Sequence, residues 1–155
     1  MSSAELVHTI REVAIRYVGA RRRVPQKITS PAQTAAYFRR RIHDDAREHL
    51  VALYLDGRHC AIADAVVSIG TANQSLVHPR EVFQSAIGLG ACALLLGHNH
   101  PSGDATPSRE DVEVTRRIAD AGRILGVTLL DHVVWARTGD FRSLRATHPN
   151  LFAEL

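Results

Sequence analysis

The 155-residue sequence lacks the long apolar run that a transmembrane helix requires. Such a helix needs about 20 consecutive apolar residues, and no stretch of the chain approaches that length. The N-terminus, MSSAELVHTI, lacks the basic-then-apolar layout of a secretory signal peptide. Only two cysteines are present, Cys60 and Cys92, and they form no C-x-x-C pair, so nothing indicates an oxidising compartment. We therefore expect a cytoplasmic protein that does not enter a membrane.

Lysine is almost absent, since 18 of the 19 basic residues are arginine. The positive charge is concentrated near the N-terminus, where residues 1–47 carry +6, whereas residues 48–155 carry −3. A basic segment of this kind is compatible with a nucleic-acid contact. The triplet Arg39-Arg40-Arg41 is one candidate for contacting phosphate, although cations are also favoured near the C-terminal end of a helix. A solvated, arginine-rich surface is the simpler interpretation.

The order of predicted elements indicates an α/β fold. Residues 4–18 have helical spacing and a basic break follows, so we expect an N-terminal helix and linker over 1–29 and one domain over 30–155. Ser30 and Pro31 predict the start of a helix that runs to about residue 42. Further helices are predicted over 79–91 and over 108–125, the second ended by Gly126. Strands are predicted over 48–55, 60–67, 91–97 and 127–136. From residue 48 onward strands and helices alternate, which predicts helices packed on a central mixed sheet.

One stretch, GHNHPSGDATPSRED, carries the residues of a candidate metal site. His98 and His100 end an apolar run, and side chains two apart in a strand point to the same face. The proline and glycine that follow allow a sharp turn, so Asp111 can return to the same point. Two imidazoles and one carboxylate leave one tetrahedral position open, which is the pattern of catalytic zinc.

Other interpretations of these residues stay open. Ser108 and Asp111 also match an S-x-x-D helix cap, in which Asp111 only reaches back to the start of the helix. Asp104 is a rival for the third ligand. The H-x-E and P-C-x-x-C pattern of zinc deaminases, by contrast, is absent from the sequence.

A zinc hydrolase also needs a base beside the reacting water and a donor to the developing oxyanion. Glu48, at the start of the first sheet strand, is our candidate for the base. Glu81 and Glu110 are alternatives, and both fit a helix surface or a first helical turn. Ser108 is the candidate side-chain donor to the oxyanion.

The run HNHPSGDATPSRED matches the H-x-H-P-x-G-x-x-x-x-S-x-x-D signature of the JAMM (MPN+) metalloprotease domain, and residues 30–146 resemble the RadC family in particular. The resemblance implies a three-layer α/β sandwich with a central mixed sheet, the cytidine-deaminase-like fold of this clan. It also implies zinc bound by His98, His100 and Asp111, a water activated by Glu48, and a tetrahedral intermediate assisted by Ser108. Other residues that carry the resemblance are Glu48-His49, Gly70-Thr71, His78-Pro79-Arg80-Glu81 and Leu130-Asp131-His132-Val133-Val134.

The resemblance leaves the substrate undefined. Longer RadC members carry a helix-hairpin-helix region ahead of this domain, so we expect a standalone form here. Relatives with known chemistry cut peptide or isopeptide bonds, and the expected function is a zinc metallopeptidase acting on an unidentified protein or peptide. The alternative is a nucleic-acid-associated or scaffold module with a structural or vestigial metal. A loosely attached first helix is compatible with a homodimer.

Overall fold

The computed structural model describes residue 14 and residues 27–70 and 77–152. The helix expected over 4–18 and most of the basic break therefore lie outside the described residues. Within them the elements are α1 (Pro31–Arg41), β1 (Glu48–Leu55), β2 (Ala61–Gly70), α2 (Pro79–Gly88), β3 (Ala93–His100), α3 (Arg109–Leu125), β4 (Thr128–Ala136), β5 (Phe141–Ser143), α4 (Leu144–Thr147) and a short 3-10 helix at Pro149–Leu151.

The five strands form one mixed sheet in the order β2-β1-β3-β4-β5. β1 pairs antiparallel with both β2 and β3, β3 and β4 are parallel, and β5 is antiparallel to β4. Helices pack on the sheet, as the alternation of elements predicted. The α/β fold with a central mixed sheet is thus confirmed.

Both predicted helix-end signals are present in the structure. The Ser30 hydroxyl accepts a hydrogen bond from the Gln33 backbone N–H at 3.3 Å, and Pro31 occupies the first turn of α1. Gly126 ends α3 with a φ of +70°, a left-handed conformation that glycine adopts without steric cost. Turn and cap chemistry therefore set the limits of these helices.

The central strands separate two apolar clusters because alternate side chains point to opposite faces. The smaller cluster lies between the sheet and α1, and it includes Phe38 and Trp135, whose rings stack with centroids 5.7 Å apart. The larger cluster lies under α2 and α3. Members of β1 divide between the two: Leu50, Ala52 and Tyr54 belong to the larger, and Val51, Leu53 and Leu55 to the smaller.

Gly97 allows α1 to approach β3 closely. A methyl group at this position would lie 2.9 Å from Cγ of Phe38 and closer still to two other carbons of the ring. The aromatic ring therefore occupies the space that any larger side chain would need. Because Gly97 directly precedes His98, this packing supports the sheet beneath the candidate site.

The C-terminal part of the structure differs from the expectation in two respects. β3 continues to His100 rather than ending at residue 97, because its parallel pairing with β4 extends to that residue. The tail beyond residue 140, which has no helical or strand periodicity, forms β5 and α4. Ser143 holds this tail in place, since its hydroxyl donates to the buried carboxylate of Asp131 at 2.7 Å and caps α4.

The arginine triplet at the end of α1 makes contacts within the protein. Arg39 donates to the backbone carbonyls of Gly139 and Asp140, the latter at 3.2 Å. Arg40 donates to the Ala36 carbonyl, and Arg41 forms a 3.0 Å ion pair with Asp64. Arg39 and Arg41 thus attach α1 to the β4–β5 turn and to the sheet, whereas Arg40, among the residues that the structure describes, bonds only within its own helix. Within the described ranges, the helices are too short or too polar to cross a bilayer.

Candidate metal centre

The end of β3 carries both histidines of the H-x-H pattern. The ring of His98 is fully buried and that of His100 is partly exposed. Both imidazoles leave the sheet on the face covered by α3, as residues two apart in a strand must. Their Nε2 atoms are 2.8 Å apart, so the two rings converge on one point.

Asp111 reaches the same point from the first turn of α3. Its Oδ1 lies 3.1 Å from Nε2 of His98, and its Oδ2 lies 3.3 Å from Nε2 of His100. The same carboxylate accepts the Ser108 backbone N–H at 2.6 Å, while the Ser108 hydroxyl accepts the Asp111 N–H at 3.1 Å. The two interpretations offered by the sequence are therefore compatible, since one side chain closes the helix cap and also faces both histidines.

Asp104 contributes to the site through its backbone rather than its carboxylate. Its carbonyl oxygen lies 2.7 Å from Nδ1 of His100, whereas its side chain accepts the Thr106 backbone N–H at 2.9 Å. Because a carbonyl can only accept, Nδ1 of His100 must carry the proton of that bond. In the neutral ring, Nε2 of His100 then carries a lone pair that a metal ion between Asp111 and His98 could accept.

The charges and contacts of the cluster favour a positive charge at its centre. Burial alone would raise the pKa of Asp111, but the contacts from His100 and His98 hold it far below its ordinary value. Burial would lower the pKa of His100, yet the bonds to Asp111 and Asp104 and the charge of Glu48 raise it. A carboxylate and imidazole nitrogens in this arrangement are stabilised by a cation between them.

The residues present fit a divalent metal ion. His98, His100 and Asp111 each offer one ligand atom, and these atoms lie within 4.8 Å of one another. Two imidazole nitrogens and one carboxylate oxygen are donors that zinc accepts, and three protein ligands leave a fourth position open. This is the one such group that the described part of the chain contains.

Glu48 lies at the same end of the sheet as His100. β1 runs antiparallel to β3 with Leu50 opposite His98, so the first residue of β1 is near the last residue of β3. Glu48 is partly buried, and its charge acts on His100. The two alternative candidates for the base lie in first helical turns, as expected. Glu81 accepts the His78 backbone N–H in a capping box, and Glu110 is exposed in the first turn of α3.

Asn99, which the sequence analysis did not single out, fixes the backbone on both sides of Glu48. Its Oδ1 accepts the His49 backbone N–H at 2.7 Å, and its Nδ2 donates to the Arg47 carbonyl at 2.8 Å. Asn99 is itself almost completely buried. A polar residue within a buried strand was the available signal, because such a side chain needs partners.

Thr115 was also missed, and it links the centre to His132. The Thr115 hydroxyl lies 2.7 Å from Nδ1 of His132, whose Nε2 lies 2.9 Å from Nδ1 of His98. Burial lowers the pKa of His132 to about 3, so its ring is neutral. The position of Thr115, one turn after Asp111 on the same helix face, was the signal that could have indicated its role.

The fold and the convergent side chains define an α/β domain with a candidate mononuclear metal centre. Its sequence matches the family model described as RadC-like JAB domain over residues 28–149. The chain belongs to this RadC-like family, which confirms the resemblance inferred from the H-x-H stretch.

Curated relatives support the same assignment. The chain is 41% identical over 133 residues to a UPF0758 protein of Geotalea uraniireducens (strain Rf4), covering 86% of this chain and 58% of the relative. It is 44% identical over 134 residues to one of Pelobacter propionicus (strain DSM 2379 / NBRC 103807 / OttBd1), covering 86% and 58%. It is 48% identical over 107 residues to UPF0758 protein GWCH70_2550 of Geobacillus sp. (strain WCH70), covering 69% and 47%. The chain thus spans about half the length of these relatives, whose names state no activity.

Proposed function

We propose that this domain is a zinc-dependent hydrolase, a JAMM-type metallopeptidase that cleaves a peptide or isopeptide bond. The observation that carries the proposal is the convergence of His98, His100 and Asp111. Three protein ligands with one open position are typical of catalytic zinc sites, whereas structural sites use four. Membership of a family named for its JAB domain supports the same class of activity.

The three ligands would bind zinc through Nε2 of each histidine and the carboxylate of Asp111. Zinc at this position would supply Lewis acidity and lower the pKa of water at the open position toward 7. The capping bonds to Ser108 fix the carboxylate, and the carbonyl of Asp104 fixes His100. The chain thus supplies a set of ligands that is oriented before the metal binds.

Glu48 is the proposed general base. Its carboxylate would take the proton from the attacking water and pass it to the leaving amine. Its place at the open end of the sheet, beside His100, supports this role. The clamp formed by Asn99 on the neighbouring residues would hold the carboxylate in position.

Ser108 is the proposed donor to the oxyanion. Its hydroxyl oxygen accepts the Asp111 N–H, so its own proton can be given to another group. A preorganised donor of this kind stabilises charge that develops in the transition state. The helix cap keeps that hydroxyl next to the candidate ligands.

The first experiment measures metal. Inductively coupled plasma mass spectrometry on the purified protein should find about one zinc per chain, and a His98→Ala/His100→Ala variant should lose it. His43→Ala is the matched control, because His43 is exposed and outside the cluster. A wild-type protein that stays free of zinc after reconstitution would refute the proposal.

The second experiment separates metal binding from catalysis. Glu48→Gln should keep its zinc but lose hydrolysis of a panel of peptide and lysine-linked isopeptide substrates, by about 100-fold or more for loss of general-base catalysis. Glu113→Gln, on the exposed face of α3, is the matched control. Full activity in Glu48→Gln would remove Glu48 from the mechanism.

Nucleic-acid binding remains a separate prediction from the basic N-terminal sequence. Arg39 and Arg41 are engaged within the protein, whereas Arg40 is exposed and, within the described ranges, bonds only to its own helix, so Arg40 is the residue of the triplet left to contact phosphate. Binding through phosphate contacts should weaken steeply as salt rises. An interaction that does not depend on salt would count against it.

A further inference from the structure

A chain of hydrogen bonds connects the backbone of α3 to the ring of His98. The Thr115 hydroxyl donates to the Asp111 carbonyl at 2.6 Å, and its oxygen lies 2.7 Å from Nδ1 of His132. Nε2 of His132 lies 2.9 Å from Nδ1 of His98. Thr115, His132 and His98 are all fully buried, so each polar atom depends on its neighbour in the chain for a partner.

The direction of each hydrogen bond in this chain follows from the Asp111 carbonyl and from the burial of His132. The Asp111 carbonyl can only accept, and the single proton of Thr115 is used there, so Nδ1 of His132 must donate to the hydroxyl oxygen. His132 is fully buried and its ring nitrogens bond to Thr115 and His98 rather than to a carboxylate, so the ring is neutral. Its Nε2 therefore has no proton and accepts from Nδ1 of His98. With its proton on Nδ1, His98 presents the bare lone pair of Nε2 to Asp111.

The opposite direction would be incompatible with metal binding. If His132 carried its proton on Nε2, it would donate to Nδ1 of His98, and the His98 proton would move to Nε2. That proton would occupy the position of the lone pair that a metal needs. The choice between the two directions thus determines whether His98 can be a ligand.

We propose that Thr115 and His132 are positioning residues that hold His98 in the tautomer able to bind a metal, and that they thereby set the metal affinity of the centre. The inference rests on the proposed function, since it assumes that His98 is a ligand. One helix turn then serves both ligands, because Asp111 supplies a carboxylate and Thr115, four residues later, orients His98 through His132.

Zinc affinity, measured by competition with a chromophoric chelator, tests the proposal on the intact chain. Thr115→Val keeps the shape but removes the hydroxyl, and we expect zinc to bind about 10- to 100-fold more weakly, the usual effect of losing a partner of a ligating histidine. Thr115→Ser keeps the hydroxyl and should restore most of the affinity. Thr34→Val is the matched control: Thr34 is also buried and also donates to the carbonyl four residues earlier, but it lies in α1.

Nitrogen NMR of the zinc-loaded wild-type protein shows which nitrogen of each histidine ring carries the proton. This second measurement tests the tautomer directly, which a loss of stability alone would not reveal. His132 and His98 should both carry their proton on Nδ1. A proton on Nε2 of His132 would overturn the proposal, and so would equal zinc affinity in Thr115→Val and Thr34→Val. If Thr115→Val does not fold, the wild-type spectrum decides. A wild-type protein without zinc affinity would refute the proposed function itself, whereas zinc bound equally with and without the hydroxyl would refute only this inference.

Discussion

Replacing Asn99 with alanine should release the segment that carries Glu48. The Asn99 side chain makes two bonds, one to the His49 N–H at 2.7 Å and one to the Arg47 carbonyl at 2.8 Å. Because it points to the face of β3 opposite the two histidines, the ligands themselves should be little disturbed. The substitution therefore separates the placement of the base from the binding of the metal.

The size of the effect can be worked from these contacts. The lost bond to the Arg47 carbonyl costs about 1 kcal/mol net, and a buried N–H left without a partner costs about 1–3 kcal/mol. His49 is buried, so that penalty applies at its N–H. We expect the free energy of unfolding to fall by about 2–4 kcal/mol. For a protein of this size each kcal/mol shifts Tm by roughly 2–4 °C.

Urea denaturation of the metal-free protein and hydrogen exchange at the His49 amide measure the two consequences. Asn99→Ala should lose stability and amide protection together, while zinc affinity stays near that of the wild type. Asn99→Asp keeps the acceptor for His49 but opposes the Arg47 carbonyl, so it should recover the protection and only part of the stability. Asn150→Ala, at an exposed position, is the control. A loss below about 0.5 kcal/mol in Asn99→Ala, the range of ordinary surface changes, would refute the clamp.

Two further substitutions test the supports of the site. Gly97→Ala should lower the free energy of unfolding by about 1–3 kcal/mol, because the added methyl group would overlap Phe38. Gly57→Ala is the control, since the nearest atom to a methyl group there is 3.7 Å away. Equal stability of the two variants would contradict this packing. Ser108→Ala should lower the free energy of unfolding, measured by urea denaturation, by about 1 kcal/mol because it removes the N-cap of α3. Ser108→Thr should keep most of that stability. An alanine variant as stable as the wild type would show that the cap is not needed.

Local sequence signals predicted most of the fold, because helix ends and strand periodicity depend on interactions between residues close together in the chain. Ser30, Pro31 and Gly126 mark helix ends through backbone chemistry that needs no tertiary context. β5, by contrast, has three residues and no periodicity of its own. It exists because it pairs with β4 and because Ser143 binds Asp131. A contact of that kind depends on the register of distant strands, which a local pattern does not contain.

In the candidate site, too, some residues could be predicted from a local pattern and others depend on strand pairing. His98, His100 and Asp111 could be predicted, since the period of a strand and a single turn suffice to bring them together. His132 lies beside them only because β3 and β4 pair in parallel with Leu96 opposite His132. The ligand set could therefore be predicted from a motif, whereas the hydrogen bonds that determine the tautomer of His98 required the sheet. Substitutions at Thr115 or His132 should accordingly alter zinc affinity in a chain whose metal-binding motif is intact, and the motif alone would not predict that loss.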